Sequence, residues 1–314
     1  MKPFSIGVDI GGTNTDIGLV NGEGKCIAGS RISTSQYGDP GPYVDHLAEA
    51  ILELMEINGI KEVTGIGIGV PNGNYYTGRI DNAVNLNFKG EVNLRDMIRE
   101  RINVPVVVTN DANAAAFGEL VYGGAKEMKD FIMITLGTGV GSGIVVNGKL
   151  VYGHDGYAGE LGHVIIYPGG RSCNCGRKGC LEQYTSSGGI KKTFIELMKK
   201  KYGGNFVPED ENSISSKYIA ALALNGDEIA RKTFRITGEI LGVALANAVA
   251  YTSPEAIFLM GGPVKAGDLL LKPIQKSFEE NLLFIYKNKV RIILSHLNEN
   301  EAAILGAAAL TNKV

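Results

Sequence analysis

The sequence predicts an α/β protein built from two related domains. Three observations carry that prediction. Strand-like and helical segments alternate along the chain, one strand–turn–hairpin unit occurs twice, and three hydrophobic strands end in glycine-rich turns. A length of 314 residues suits two domains at roughly 100–200 residues each.

The first stretch, "FSIGVDIGGTNTDIGLVNGEGKCIAGSRIST", alternates β-favouring runs with Gly/Asn turns and reads as two or three antiparallel strands. Cys26 falls inside one of them and reads as a small buried apolar residue. "PGPYVDHLAEAILELMEING" has helical periodicity through Val44, Leu47, Ile51, Leu54 and Met55, with Gly59 as its stop. "VTGIGIGV" and "VPVVVTN" read as buried parallel strands, and "NDANAAAFGELVYG" as a helix capped by Asn110 or Asp111. The grammar then restarts. Asp9-Ile10-Gly11-Gly12-Thr13 faces Thr135-Leu136-Gly137-Thr138-Gly139, and Ile17 to Gly22 matches Gly143 to Gly148. Both copies read as a strand, a small-residue turn and a strand closing in an Asn-Gly hairpin. A long helix stops before Pro254, and the strand-turn "AIFLMGGP" follows it. A helix through "LLLKPIQKSFEENLLFI", the strand "VRIILSHL" and the helix "NEAAILGAAALTNK" complete the chain.

Composition narrows the function. Apolar residues make up 44% and charged residues 20%, the balance of a globular protein. Net charge is −2 and the longest basic run is Lys199-Lys200-Lys201, so nucleic acid is not the expected partner. No apolar stretch approaches the roughly 20 residues that cross a bilayer. The N-terminus "MKPFSIGVDIGG" enters strand-like sequence without a signal-peptide core, so a cytoplasmic protein is expected.

The turns Gly11-Gly12-Thr13-Asn14, Gly137-Thr138-Gly139 and Gly261-Gly262 each follow a hydrophobic strand. Such turns offer backbone N–H groups unobstructed by Cβ atoms and can wrap phosphate oxygens. Together they point to a nucleotide cleft between two domains. The segment from Gly143 to Lys149 starts like a P-loop, but Leu150 replaces the Ser/Thr and the segment reads as a hairpin. Phosphates would therefore be held by backbone amides, hydroxyls and a metal, without a Walker lysine.

"DIGGTNT", "NDANAAAFGE", "LGTGVGSG", "GYAGELGH", "CNCGRKGCLE" and "LMGGPV", in that order, resemble the ROK family, which includes bacterial glucokinases and related hexose kinases. "GELGH" with "CNCGRKGCLE" is the specific part, whereas "DIGGT" recurs across actin-like ATPases. The resemblance implies two ribonuclease-H-like (actin-like ATPase) α/β domains around a central cleft, with a zinc-binding insertion. Residues 1–118 would form the first domain and 119–298 the larger second one, with the zinc loop at 160–182. The last helix, about 299–314, would pack back onto the first domain.

His163, Cys173, Cys175 and Cys180 supply one imidazole and three thiolates, a complete tetrahedral set for zinc. The competing reading is a disulfide, which a reducing cytosol disfavours. A filled Cys3His shell leaves no position open for water, so the zinc is expected to be structural. Its role would be to clamp the loop that carries Glu160, His163 and Glu182. By resemblance these three hydrogen-bond sugar hydroxyls; from the residues alone both glutamates read equally as solvated surface groups.

Asn110 and Asp111 stand at a strand's end and a helix's start, where α/β folds build their sites. From sequence alone a helix cap is as good a reading as a site carboxylate. The resemblance implies that Asp111 accepts the proton of the attacking sugar hydroxyl and that Asn110 also contacts the sugar. Asp9 precedes the first glycine turn, where it would hold Mg²⁺ through water or simply stabilise the turn. Thr13 and Thr138 would add hydroxyl donors to the phosphates, and Gly261-Gly262 would border the adenine or ribose. Asn85, in "DNAVNLNF", falls where family members carry Pro-Asn-Leu, although Val84 stands in place of the proline.

The implied activity is ATP-dependent phosphorylation of a hexose, D-glucose foremost, with mannose, fructose, N-acetylglucosamine and N-acetylmannosamine as alternatives. Some relatives are sugar-responsive repressors with a helix-turn-helix domain ahead of the first glycine turn. Eight residues precede Asp9 here, so that role is not expected, and the retained Asp111 and glycine loops count against a non-catalytic sugar sensor. A homodimer is the implied assembly.

Overall fold

Mostly buried apolar runs form the strands and 3.6-residue apolar stripes form the long helices. The computed structural model describes residues 4–83, 86–88, 90–203 and 213–311. Strands β1 (Ser5–Ile10), β2 (Asn14–Val20) and β3 (Cys26–Ser33) precede α1 (Pro40–Ile57) and β4 (Ile66–Gly69). The short pair β5 (Ile80–Asp81) and β6 (Glu91–Val92), α2 (Leu94–Arg99), β7 (Val106–Thr109) and α3 (Asp111–Val121) follow. Next come β8 (Phe131–Leu136), β9 (Val140–Val146), β10 (Lys149–Leu150), α4 (Glu182–Thr185), α5 (Ser187–Tyr202), α6 (Ser216–Leu224) and α7 (Glu228–Thr252). The chain closes with β11 (Ala256–Met260), α8 (Asp268–Asn281), β12 (Arg291–Leu294) and α9 (Glu299–Leu310).

The duplication is visible in the topology. One sheet runs β3-β2-β1-β4-β7 and the other β10-β9-β8-β11-β12. In each, the first three strands of the copy lie in reverse order and two later strands are added beyond the first. β4 and β7 join β1 in parallel, and β11 and β12 join β8 in the same way. β4 and β7 are buried at every position, as strands covered on both faces must be.

The chain divides into two compact units, Met1–Lys129 with Gly143–Gly159 and Ser295–Val314, and Asp130–Ser142 with Glu160–Leu294. In the first unit, Val44, Leu47, Ile51 and Leu54 of α1 share one core with Ile6, Val8, Ile66 and Ile68. The Asp39 carboxylate caps this helix by accepting the Gly41 N–H at 2.8 Å. Burying each such aliphatic side chain stabilises the fold by about 1.5–3 kcal/mol. α9 packs on β1, β4 and α3, so its small residues meet the sheet at backbone distance. A Cβ at Gly67 would run into the Ala307 carbonyl of that helix. In the second unit, α7 and α8 pack against each other, with Phe234, Leu241, Leu245, Ile274 and Phe278 in one core with Ile257 and Leu259. No described helix is long and apolar enough to cross a membrane.

One hairpin expectation is met and three local expectations are corrected. The β9–β10 connection is the two-residue Asn-Gly turn, with φ of 51° at Asn147 and 72° at Gly148. The β2–β3 connection is longer. Asn21 Oδ1 accepts the N–H groups of Glu23 and Lys25, both at 3.0 Å, and the positive φ falls at Gly24. That side chain closes a wider loop before Gly22 can turn the chain. α8 stops at Asn281, short of Ile285, because Leu283 and Phe284 are 51% and 79% exposed and further helix would bury nothing. Cys26 opens β3 half-buried, and its thiol donates to the Ala28 carbonyl.

Candidate active site

In the first unit the site residues gather at the carboxyl ends of three parallel strands. Asp9 is in register with Gly69, and Gly69 with Thr109, so the ends of β1, β4 and β7 lie level. This is the edge where open α/β sheets place ligands. Asp111 follows at the start of α3. The capping alternatives resolve to Asn110: its Oδ1 accepts the Ala112 N–H at 2.9 Å, and Asp111 Oδ1 accepts the same N–H at 2.8 Å. The first glycine turn is closed by a hydrogen bond from Gly11 N–H to the Asn14 carbonyl at 2.9 Å. Gly11 and Gly12 are half-exposed, and Thr13 and Asn14 are exposed.

The two carboxyls resist ionising together. Burial, then the charges of Asp111 and Asp16, push Asp9 up to about 7. Burial also raises Asp111, opposed by backbone N–H groups at Ala112 and at its own position. A desolvated oxygen donor under like-charge repulsion suits a hard cation, so Asp9 fits the magnesium that a bound nucleotide brings.

In the second unit two glycine turns stand side by side. β8 and β11 are parallel, with Thr135 opposite Met260, so Gly137-Thr138-Gly139 and Gly261-Gly262 leave the same edge. The first turn is closed by Gly137 N–H donating to the Gly139 carbonyl at 2.9 Å. Gly261 has φ of +119°, and a Cβ there would strike the Leu136 carbonyl. Only glycine lets the β11 end pass that strand.

The cysteine segment forms a small closed knot in the same unit. His163 ends the 3₁₀ turn Leu161–His163, and its N–H donates to the Glu160 carbonyl. Positive φ values at Gly176 and Gly179 curl the chain so that Cys180 returns beside Cys175. Cys173 Sγ lies 3.7 Å from His163 Nδ1, Cys175 Sγ lies 3.6 Å from Cys180 Sγ, and all four donor atoms fall within 4.8 Å of one another. A Zn–S bond of about 2.3 Å gives a tetrahedral edge of about 3.7–3.8 Å, so the spacing fits zinc. The cysteines are free thiols, against the disulfide reading. Partial burial works against the Cys175 thiolate, but hydrogen bonds from Arg177, Cys173 and Cys180 outweigh it and bring the group to about 6. Burial and the neighbouring sulfurs push Cys180 up to about 12. A single cation shared by the knot would relieve the repulsion that the neighbouring sulfurs exert on Cys180.

Arg171, which the sequence reading passed over, ties the knot to the rest of its unit. It pairs with Glu196 at 2.6 Å, donates to the carbonyls of Gln183 and Gly189 and to the Thr193 hydroxyl, and stacks on Tyr184. Its place two residues before Cys173 was the one signal available. Glu182 opens α4 directly after the knot; Glu160 is exposed just before the 3₁₀ turn. Asn85 lies outside the described residues.

The sequence model of the ROK family matches residues 5–314. The chain belongs to the ROK family. This ROK protein is 34% identical over 314 residues to a glucokinase of Halalkalibacterium halodurans, an alignment covering 98% of this chain and 94% of the relative. It is 32% identical over 309 residues to a glucokinase of Thermotoga maritima, covering 97% and 96%. Its fold matches the ROK family glucokinase from Streptomyces griseus, solved with glucose and AMPPNP, with a TM-score of 0.83 at 32% identity over 99% of this chain and all of that one. The expected α/β class, with its ribonuclease-H-like sheets and cysteine insertion, is therefore the fold of this ROK protein.

Proposed function

We propose that this chain is a cytoplasmic ATP-dependent hexose kinase that converts D-glucose to glucose 6-phosphate. The observation that carries the reading is Asp111, a desolvated carboxyl at the end of β7 in a chain that aligns along nearly its whole length with glucokinases. In the reaction the sugar 6-hydroxyl oxygen attacks the γ-phosphorus, the bond from that phosphorus to the β-bridging oxygen breaks, and ADP leaves. Asp111 takes the hydroxyl proton. A raised pKa suits it as a base near neutral pH, since proton-transfer efficiency rises with basicity. Phosphoryl transfer asks little more of the protein than positioning and charge stabilisation.

The amides of Gly11, Gly12, Gly137 and Gly139, with Thr13, Asn14 and Thr138, hold phosphate oxygens, and Gly261-Gly262 borders the nucleoside. Asp9 would hold Mg²⁺ through water, and the ion would supply charge neutralisation at the phosphates. Asn85, Asn110, Glu160, His163 and Glu182 bind sugar hydroxyls. Zinc on His163, Cys173, Cys175 and Cys180 would keep its loop rigid without entering the chemistry. The enzyme assembles as a homodimer; a monomeric mass by light scattering rejects that part.

The test is product formation from ATP across glucose, mannose, fructose, N-acetylglucosamine and N-acetylmannosamine. Glucose with the highest kcat/KM supports the full reading. Another preferred hexose corrects the substrate, and no turnover of any of them rejects the kinase.

A further inference from the structure

Glu182 makes a contact that binding a sugar hydroxyl does not require. Its Oε2 accepts the Val140 N–H at 3.1 Å, immediately beyond the Gly137-Thr138-Gly139 turn. A Cβ at Gly139 would lie 2.6 Å from the same oxygen, so the carboxylate is pressed against the turn. Its other oxygen faces Cys173 Sγ at 4.0 Å and the Gln183 side-chain amide at 3.5 Å. A second tether leaves the same short segment: Ser187 N–H donates to the Gly137 carbonyl at 2.9 Å. Both ends of the turn are thus held by residues 182–187. That segment begins two residues after Cys180 and is clamped from behind by Arg171 through the Gln183 and Gly189 carbonyls.

We infer that Glu182 is a positioning residue for the glycine turn, and that it links nucleotide affinity to the integrity of the cysteine knot. The inference rests on the reading of this turn as a phosphate loop. Two of the three residues of the turn are glycines and a single internal hydrogen bond closes it, and its amides bind an anion well only when they already point together. The Glu182–Val140 bond and the Ser187–Gly137 bond supply that order from outside the turn.

Binding of AMPPNP with MgCl2, measured by calorimetry without sugar, separates this role from any contact with sugar. Glu182→Ala should weaken AMPPNP about tenfold, the scale of losing one hydrogen bond to a charged group. Glu182→Gln, which keeps an acceptor oxygen for Val140, should stay within about twofold of the parent, a rescue that a charge-based role would not show. Gly139→Ala should weaken binding by displacing the carboxylate, and should cost less in the Glu182→Ala background, where the clash is gone. Cys173→Ser, which loosens the knot and alters the group facing the Glu182 carboxylate, should also weaken AMPPNP. Gly137→Asp is the control. Its side chain has open space and places a negative charge on the turn. If Gly137→Asp binds AMPPNP normally, the phosphate-loop reading fails. If Gly137→Asp abolishes binding but Glu182→Ala does not change it, or Gly139→Ala is equally costly in both backgrounds, the inference fails. Unchanged affinity in Cys173→Ser removes the link to the knot.

Discussion

Asp9 and Asp111 flank Gly69: a methyl group on Gly69 would sit 3.9 Å from Asp9 Oδ1 and 3.4 Å from the Asp111 Cα. It would also press on the Ala114 Cβ at 3.2 Å. The proposed base and the proposed metal-side carboxylate are therefore spaced by a residue with no side chain. Gly69→Ala should push the start of α3 by a few tenths of an ångström, lowering kcat about tenfold or more with a small change in melting temperature. Unchanged kcat would show that the spacing has slack.

Asp111→Asn retains an oxygen that can accept the Ala112 N–H but cannot take a proton. Turnover should fall by about 10²–10⁴, the usual contribution of a general base. Glucose affinity measured by calorimetry should stay near that of the parent. Near-parental turnover in this variant would remove Asp111 from the chemistry.

Asp9 makes folding depend on pH. Its folded-state pKa of about 7 lies above the unfolded value of 3.8, so between these limits the native chain binds the extra proton. The stability contributed by protonated Asp9 is full below about pH 4 and is lost as pH rises towards 7. Asp9→Asn should therefore melt a few degrees higher than the parent at pH 7.5 without magnesium, and no higher near pH 4. Magnesium with AMPPNP should raise the parent's melting temperature more than the variant's. Parallel melting curves across pH 4–9 would contradict this account.

Removing one sulfur should disturb both the metal and the sugar. Cys175→Ser is expected to lower zinc content by elemental analysis and to raise the glucose KM tenfold or more, because the segment bearing Glu160 and His163 loses its anchor. A variant with full zinc content and unchanged KM would contradict the positioning argument.

Arg171 is a stability residue by the same geometry. Its charged side chain pairs with Glu196 and donates to two carbonyls and a hydroxyl, with its own side chain only 15% exposed. Arg171→Ala should cost about 2–4 kcal/mol in chemical denaturation, since the carbonyls lose donors in a partly buried setting. Lysine cannot restore a planar fork of donors, so Arg171→Lys should recover little.

Much of this protein was legible before any tertiary contact was known. The parallel strands around Ile66 and Val106 announced themselves as continuous apolar runs, and the helix Pro40–Ile57 as a stripe ending at a glycine. His163 and the three cysteines declared a ligand set by chemistry alone. The misreadings came where side chains compete with backbone rules. Asn21 closed a wider loop than the Asn-Gly pattern predicts, and α8 stopped once its apolar face had nothing left to cover.

Local patterning thus specified the strands of the two large sheets, the helices α1, α3, α7 and α9, the repeat and the ligand types, because each depends on neighbours within a few turns of chain. Folding added the facts that join distant segments: Glu182 against Val140, Arg171 against Gly189, and Asp9 within reach of Asp111 across Gly69. Those depend on which strand ends lie level in a sheet and on how closely one backbone passes another. Register and packing of that kind are set by the balance of the whole core, and no single stretch of residues encodes them.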